Sequence, residues 1–125
     1  MKTVPAFAAS ALIIVLAGHA GIAAAAAPAM TSGNMLTDPS GMTLYTYDND
    51  HDGKSACTGG CASNWPPFAA SAGAKPEGDY TIVDRSDGKR QWAYKGKPLY
   101  SWSKDKKPGD KTGDGFKNVW HAAHP

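Results

Sequence analysis

Gly41-Met42-Thr43-Leu44-Tyr45-Thr46-Tyr47-Asp48-Asn49-Asp50 returns 55 residues later as Gly96-Lys97-Pro98-Leu99-Tyr100-Ser101-Trp102-Ser103-Lys104-Asp105. Gly, Leu, Tyr and Asp recur unchanged, Thr46 is answered by Ser101, and Tyr47 by Trp102. Further on, Gly60 and Trp65 return at the same offset as Gly115 and Trp120. Two unrelated windows of this length would share only about two identities at ordinary residue usage, so the chain carries an internal repeat. Tyr, Trp, Gly and Asp positions that recur together belong to the architecture before they belong to any chemistry.

The hydrophobic pattern around the repeat is that of strands. Helical periodicity is nearly absent after residue 30, and short β-rich runs bounded by Gly, Pro, Asp and Asn dominate. The sequence predicts strands over 42–47, 80–85, 90–94 and 98–102, with 119–122 closing the sheet. Ser86-Asp87-Gly88-Lys89 is the hairpin turn between the second and third of these. Side chains alternate along a strand, so Tyr45 and Tyr47 share one face, as do Tyr100 and Trp102, while Leu44 and Leu99 point to the other. Apolar groups on both faces make the repeated strand a central or covered one. Segments 48–64 and 103–118 are long irregular loops, the first with a short helix near 56–63. The fold class is therefore all-β (mainly β), a small single domain of two related β repeats. Repeat 1 spans about 35–68, a linker about 69–79, and repeat 2 about 80–122.

The first 29 residues read as a leader. Lys2 precedes an apolar run at 6–17, and Ala-rich sequence up to Ala29 offers small-x-small cleavage sites. Cleavage near 25–29 leaves about a hundred residues, destined for the periplasm or the exterior, with no lipid-attachment cysteine and no stable membrane anchor. Without Lys2, 12 Lys and Arg face 11 Asp and Glu. That balance, with the lysines of the 104–111 loop offset by acids, argues against nucleic acid as a partner. A domain this small buries only about 60–65% of its unfolded surface. Its apolar mass lies in four tryptophans, five tyrosines and few aliphatics, so aromatic rings must fill the core.

The motif Tyr-x-aromatic-x-x-Asp at Tyr45–Asp50 and Tyr100–Asp105 is joined by three further stretches: 53–67 with its two cysteines, Gln91-Trp92-Ala93-Tyr94-Lys95-Gly96-Lys97-Pro98-Leu99-Tyr100, and the terminal Val119-Trp120-His121. Together they resemble the bacterial "secreted repeat of unknown function" family, whose members are described as lipoproteins carrying that tyrosine motif. The resemblance covers about 36–121 and implies an exported bacterial protein with paired repeats and no established activity. This chain departs from the lipoprotein members in lacking the cysteine that would carry lipid.

Cys57 and Cys61 are the only cysteines, and in an exported chain two cysteines four apart pair with each other. Left as thiolates, they would instead suit Cu(I) with His51, His121 or His124 as third ligand, a copper or redox alternative. Their counterparts in the second repeat are Thr112 and Phe116, so such a site would serve one repeat alone. Asp48, Asp50 and Asp52 followed by Gly53 have the opening spacing of a calcium loop, but the twelfth position is Gly59 rather than Glu. Side chains that satisfy turn N–H groups explain the same residues. No cofactor and no metal site is assigned, with Asp48, Asp50, Asp52, His51 and His121 as the weak metal candidates and calcium or copper as the alternatives. Tyr45, Tyr47, Asp50, Trp65, Tyr100, Trp102, Asp105 and Trp120 are read as structural. No nucleophile elbow, phosphate loop or His-Glu-x-x-His is present, so the expectation is a non-enzymatic binding or envelope-associated module. Its partner is unknown from sequence; an envelope protein or a small ligand would suit the aromatic face.

Overall fold

A computed structural model of the chain describes residues 27–125; most of the leader expectation falls outside the described residues. Seven short strands and one short helix follow in the order β1 Met30–Ser32, β2 Met35–Thr37, β3 Tyr45–Tyr47, α1 Gly60–Asn64, β4 Tyr80–Asp84, β5 Arg90–Tyr94, β6 Lys97–Pro98 and β7 Trp120–Ala122. A 3₁₀ turn occupies Phe116–Asn118. The fold is mainly β, as the sequence predicts. All pairing is antiparallel: β1 with β2, β3 with β7, and β4-β5-β6 as a three-stranded meander. Single bridges join these small sheets, Thr37 to Thr43, Tyr45 to Tyr100, Pro67 to Tyr100 and Ala69 to Gln91.

The strands are shorter than the hydrophobic runs that announce them. Leu99 to Trp102 carries the second copy of the motif but forms no regular strand, because Tyr100 bridges to Tyr45 on one side and Pro67 on the other. The short helix begins at Gly60 rather than near 56, so Cys57 lies before it and Cys61 within it. Gly41 and Gly96 recur because both turn residues sit at positive φ, +89° and +84°, which a side chain disfavours.

The repeats meet about a local two-fold axis. Tyr45 N–H donates to Tyr100 C=O at 2.8 Å, and Tyr100 N–H donates back to Tyr45 C=O at 2.9 Å. Any hydrogen-bonded antiparallel pair exchanges two bonds; here the two residues hold the same place in the two repeats, which relates the repeats by a two-fold rotation. Other bonds come in matched pairs: Ala123 N–H to Leu44 C=O at 2.8 Å and Phe68 N–H to Leu99 C=O at 2.9 Å; Asp48 N–H to Val119 C=O at 2.8 Å and Ser103 N–H to Asn64 C=O at 2.9 Å. Upstream, Leu36 N–H binds Ala123 C=O as Trp92 N–H binds Phe68 C=O. That pair is offset by 56, since the turn leading to Leu44 is one residue longer than the turn leading to Leu99.

Two clusters of buried side chains pack separately. Leu36, Leu44, Leu99, Trp92, Tyr80 and Ala123 form one. Tyr45, Trp65, Tyr100, Trp102 and Trp120 form the other, beside Cys57. The alternation read from the sequence is therefore real: leucines to one side, motif aromatics to the other. The stretch 69–79 is not a plain linker at its start. Ala70 N–H binds Arg90 C=O at 3.0 Å, and Arg90 Nη1 donates to the carbonyls of Ser71 and Ala72, both at 2.8 Å.

Candidate binding groove over the aromatic stack

The tyrosine and aspartate of the motif never bond within one repeat. Tyr45 Oη donates to Asp105 Oδ2 at 2.7 Å, and Tyr100 Oη donates to Asp50 Oδ2 at 2.7 Å. Each carboxylate uses its other oxygen to hold its own loop. Asp50 Oδ1 accepts from Ala56 N–H at 2.7 Å, and Asp105 Oδ1 accepts from Thr112 N–H at 3.0 Å and Thr112 Oγ1 at 2.6 Å. The motif is thus a reciprocal clasp between repeats, with a turn-ordering function attached. Burial, then the neighbouring carboxylate, pushes both phenols well above the ordinary tyrosine pKa. Burial also raises the Asp50 carboxyl above its usual range.

For a phenol whose pKa is higher folded than unfolded, the folded state keeps its proton longer. Its contribution is intact below pH ~10 and is lost as pH climbs from there towards the folded value. An alkaline titration is expected to show Tyr45 and Tyr100 forming tyrosinate only together with loss of the circular-dichroism signal. Smooth ionisation of all five tyrosines in a still-folded protein would contradict the clasp.

The recurring tryptophans also meet across the axis. Trp65 and Trp120 stack at 3.8 Å between centroids with planes 2° apart. Tyr47 stacks on Trp120 at 4.2 Å, and Trp102 on Trp65 at 3.9 Å. The result is a four-ring column, Tyr47, Trp120, Trp65, Trp102, in which rings of the two repeats alternate. Tyr45 and Tyr100 close its sides edge-on, at 5.3 Å from Trp65 and 5.1 Å from Trp120 respectively.

A groove of about 400 Å³ opens along this column. Its lining comes in equivalent pairs, Tyr47 with Trp102, Cys61 with Phe116, Asn64 with Val119, and Trp65 with Trp120, so it straddles the local axis. Phe116 is 36% exposed at its rim, tilted against Trp102 at 5.0 Å. It sits on a costly loop: Gly115, Lys117 and Asn118 all have positive φ, which Gly and Asn tolerate and which costs about 1–2 kcal/mol at Lys117.

The description "secreted repeat of unknown function" fits residues 29–69 and again 81–124. The chain belongs to that family. The two matched segments each bring one half of the clasp and one half of the column, and the family's description as secreted supports an exported chain. No curated protein and no solved structure matches it.

Within this family member, the metal candidates do not converge. Asp48 pairs with His121 Nε2 at 2.8 Å on the surface, Asp50 is spent on Tyr100 and Ala56, and His51 and Asp52 lie exposed in a tight turn closed by Lys54 N–H to His51 C=O at 2.8 Å. His124 Nδ1 lies 2.6 Å from Asn34 C=O. Among the described residues no group of three His, Cys, Asp or Glu side chains is placed to hold a metal ion. Cys57 and Cys61 are joined as a disulfide, Cα to Cα 5.2 Å, which withdraws both thiolates from a copper site. Titration with Ellman's reagent should find no thiol before reduction and two after. Reduction should lower stability by about 2 kcal/mol, the chain-entropy value for so short a loop.

Two residues essential to the loops, one for each, escaped the sequence reading. Arg85, its side chain 0% exposed, donates to Asp87, Ser55 Oγ, Gln91 Oε1 and Cys57 C=O. Gln91 in turn donates to Leu99 C=O at 2.7 Å. An arginine just before Ser-Asp-Gly reads as a solvated hairpin residue, and nothing in its spacing marks it as buried. Gly113 is the other: a Cβ there would lie 2.6 Å from Trp65, and the repeat does not flag it because its counterpart is Thr58.

Proposed function

We propose that this exported protein is a non-enzymatic binding module of the bacterial envelope or exterior, and that the groove over the aromatic column is its site. The observation that carries the proposal is the groove itself. Both repeats build its floor, its volume lies in the range of small-molecule sites, and an exposed phenylalanine is held over it on a strained loop. One edge of Phe116 packs on Trp65 and Trp102 while the other stays in solvent, and strain kept in a structure points to use. The buried polar groups support the non-enzymatic reading. Ser55 Oγ, the hydroxyl beside the buried arginine, is already bonded to Tyr100 Oη at 2.7 Å and Arg85 Nη1 at 2.9 Å. A copper or redox role for Cys57, Cys61 and a histidine would first require the disulfide to be opened.

The test is a fragment panel of sugars, peptides, lipidic and aromatic compounds, read by amide and indole chemical shifts. Hits should perturb Tyr47, Trp102, Phe116 and Val119 together, and Phe116→Asp should abolish them while the circular-dichroism spectrum stays unchanged. A panel whose hits all map elsewhere, or none at all, would overturn the groove as the site.

A further inference from the structure

Resting on the groove reading, we infer that the ligand is a small planar aromatic anion, such as an aryl carboxylate, oriented by Lys104 and Lys117. The floor of the groove obeys the local two-fold symmetry; its charge does not. Lys104 and Lys117 line it, and both belong to the second repeat. Their first-repeat counterparts are Asn49 and Ala62. No carboxylate lines the groove to offset them, and the ion pairs of the described residues use Arg85, Arg90, Lys107 and His121 instead. Lys117 Nζ stands 5.5 Å from the centre of the Phe116 ring, at the rim. A symmetric aromatic slot is therefore positive at one end only. That end wants an anion, and the rest wants a flat apolar body.

The walls decide what kind of body. Five of the lining residues are aromatic, and Asn64 is the one uncharged side-chain amide among them. The polar side chains of the lining are Tyr47, Asn64, Lys104 and Lys117, and the Tyr47 hydroxyl is already engaged by Asn49, whereas a ring can pair edge-on or offset with Tyr47, Trp102 and Phe116. A groove of about 400 Å³ holds one small molecule; a protein partner would need about 800 Å² of surface on each side.

The test compares 2-naphthoate, 2-naphthalenemethanol and 2-naphthylmethylammonium by quenching of tryptophan fluorescence in the purified protein. Naphthoate should bind about five- to ten-fold tighter than the neutral alcohol, as two partly exposed cations allow, and the ammonium weakest. The Lys104→Asn/Lys117→Asn double variant should bring naphthoate down to the alcohol's affinity without changing the alcohol's. Both substitutions suit the site, since Asn is the residue opposite Lys104 and tolerates the positive φ of position 117. Lys89→Asn, away from the groove, should change neither. Equal binding of the three compounds, or a preference that survives the double substitution, would overturn the inference. If the naphthyl compounds all fail while the fragment panel yields another groove ligand, the inference falls and the binding reading stands; if nothing binds the groove, both fall.

Discussion

Trp65→Ala is expected to cost about 4 kcal/mol of folding stability, as truncation of a buried tryptophan does. On a domain of this size that lowers the melting temperature by roughly 20 °C. Trp65 is buried and touches four rings: Trp120 at 3.8 Å, Trp102 at 3.9 Å, Tyr45 at 5.3 Å and Phe116 at 5.9 Å. Its loss empties the middle of the column, and Tyr45 and Trp120 cannot collapse inward because each is held in its strand. Trp120→Ala should cost nearly as much, since it occupies the equivalent place. The double variant should lose less than the sum of the two, by about 0.5–1.5 kcal/mol, the coupling of a stacked pair. Thermal and urea unfolding of the three variants measure this. Trp92→Ala offers the contrast, because Trp92 packs among leucines and pairs with a single ring, Tyr80, edge-on at 6.3 Å. Strict additivity of Trp65→Ala and Trp120→Ala would mean the column is a row of independent fillers.

What the repeat made legible was the set of positions, not their connections. Tyr45, Trp65, Asp50 and their counterparts could be picked out because each occurs twice, and strand alternation placed the rings opposite the leucines. Spacing along the chain carries no sign of which repeat a side chain bonds to. Tyr45 reaches Asp105 rather than Asp50 only because the two motif segments meet in an antiparallel bridge at Tyr45 and Tyr100, a contact between residues far apart in sequence. The disulfide was legible for the opposite reason: it is local, and its chemistry follows from export. Arg85 stayed invisible because hairpin composition says nothing about burial. The groove's polarity was visible in the sequence as Lys104 against Asn49, and it gains meaning only once Trp102 and Tyr47 are known to stand at opposite ends of one column.

Arg85→Met should cost about 3 kcal/mol, a value set by the acceptors it strands rather than by the attraction it removes. All five N–H donors of the guanidinium are used: Nε on Asp87, Nη1 on Ser55 and Gln91, Nη2 on Cys57 C=O and Asp87. Methionine fills the space and satisfies none of them. Lysine should fail as well, because three donors on a point charge cannot reproduce the planar fork. A hydrogen bond from Arg85 holds the Asp87 carboxyl below the usual carboxylate range. That contribution is present above the ordinary aspartate pKa and fades as pH falls through the folded value. In Arg85→Met the Asp87 titration, followed by NMR, should rise towards ordinary values, with the bond from Lys89 N–H retained. The disulfide supplies the second readout. Arg85 grips the carbonyl of Cys57, whose sulfur closes the loop to Cys61 and so to α1 and Trp65. Freed of that grip, the loop should open more often, and reduction of Cys57–Cys61 by dithiothreitol in the native state should accelerate severalfold. Unchanged reduction kinetics with unchanged stability would show that Asp50 and Tyr100 hold the first loop without help from Arg85.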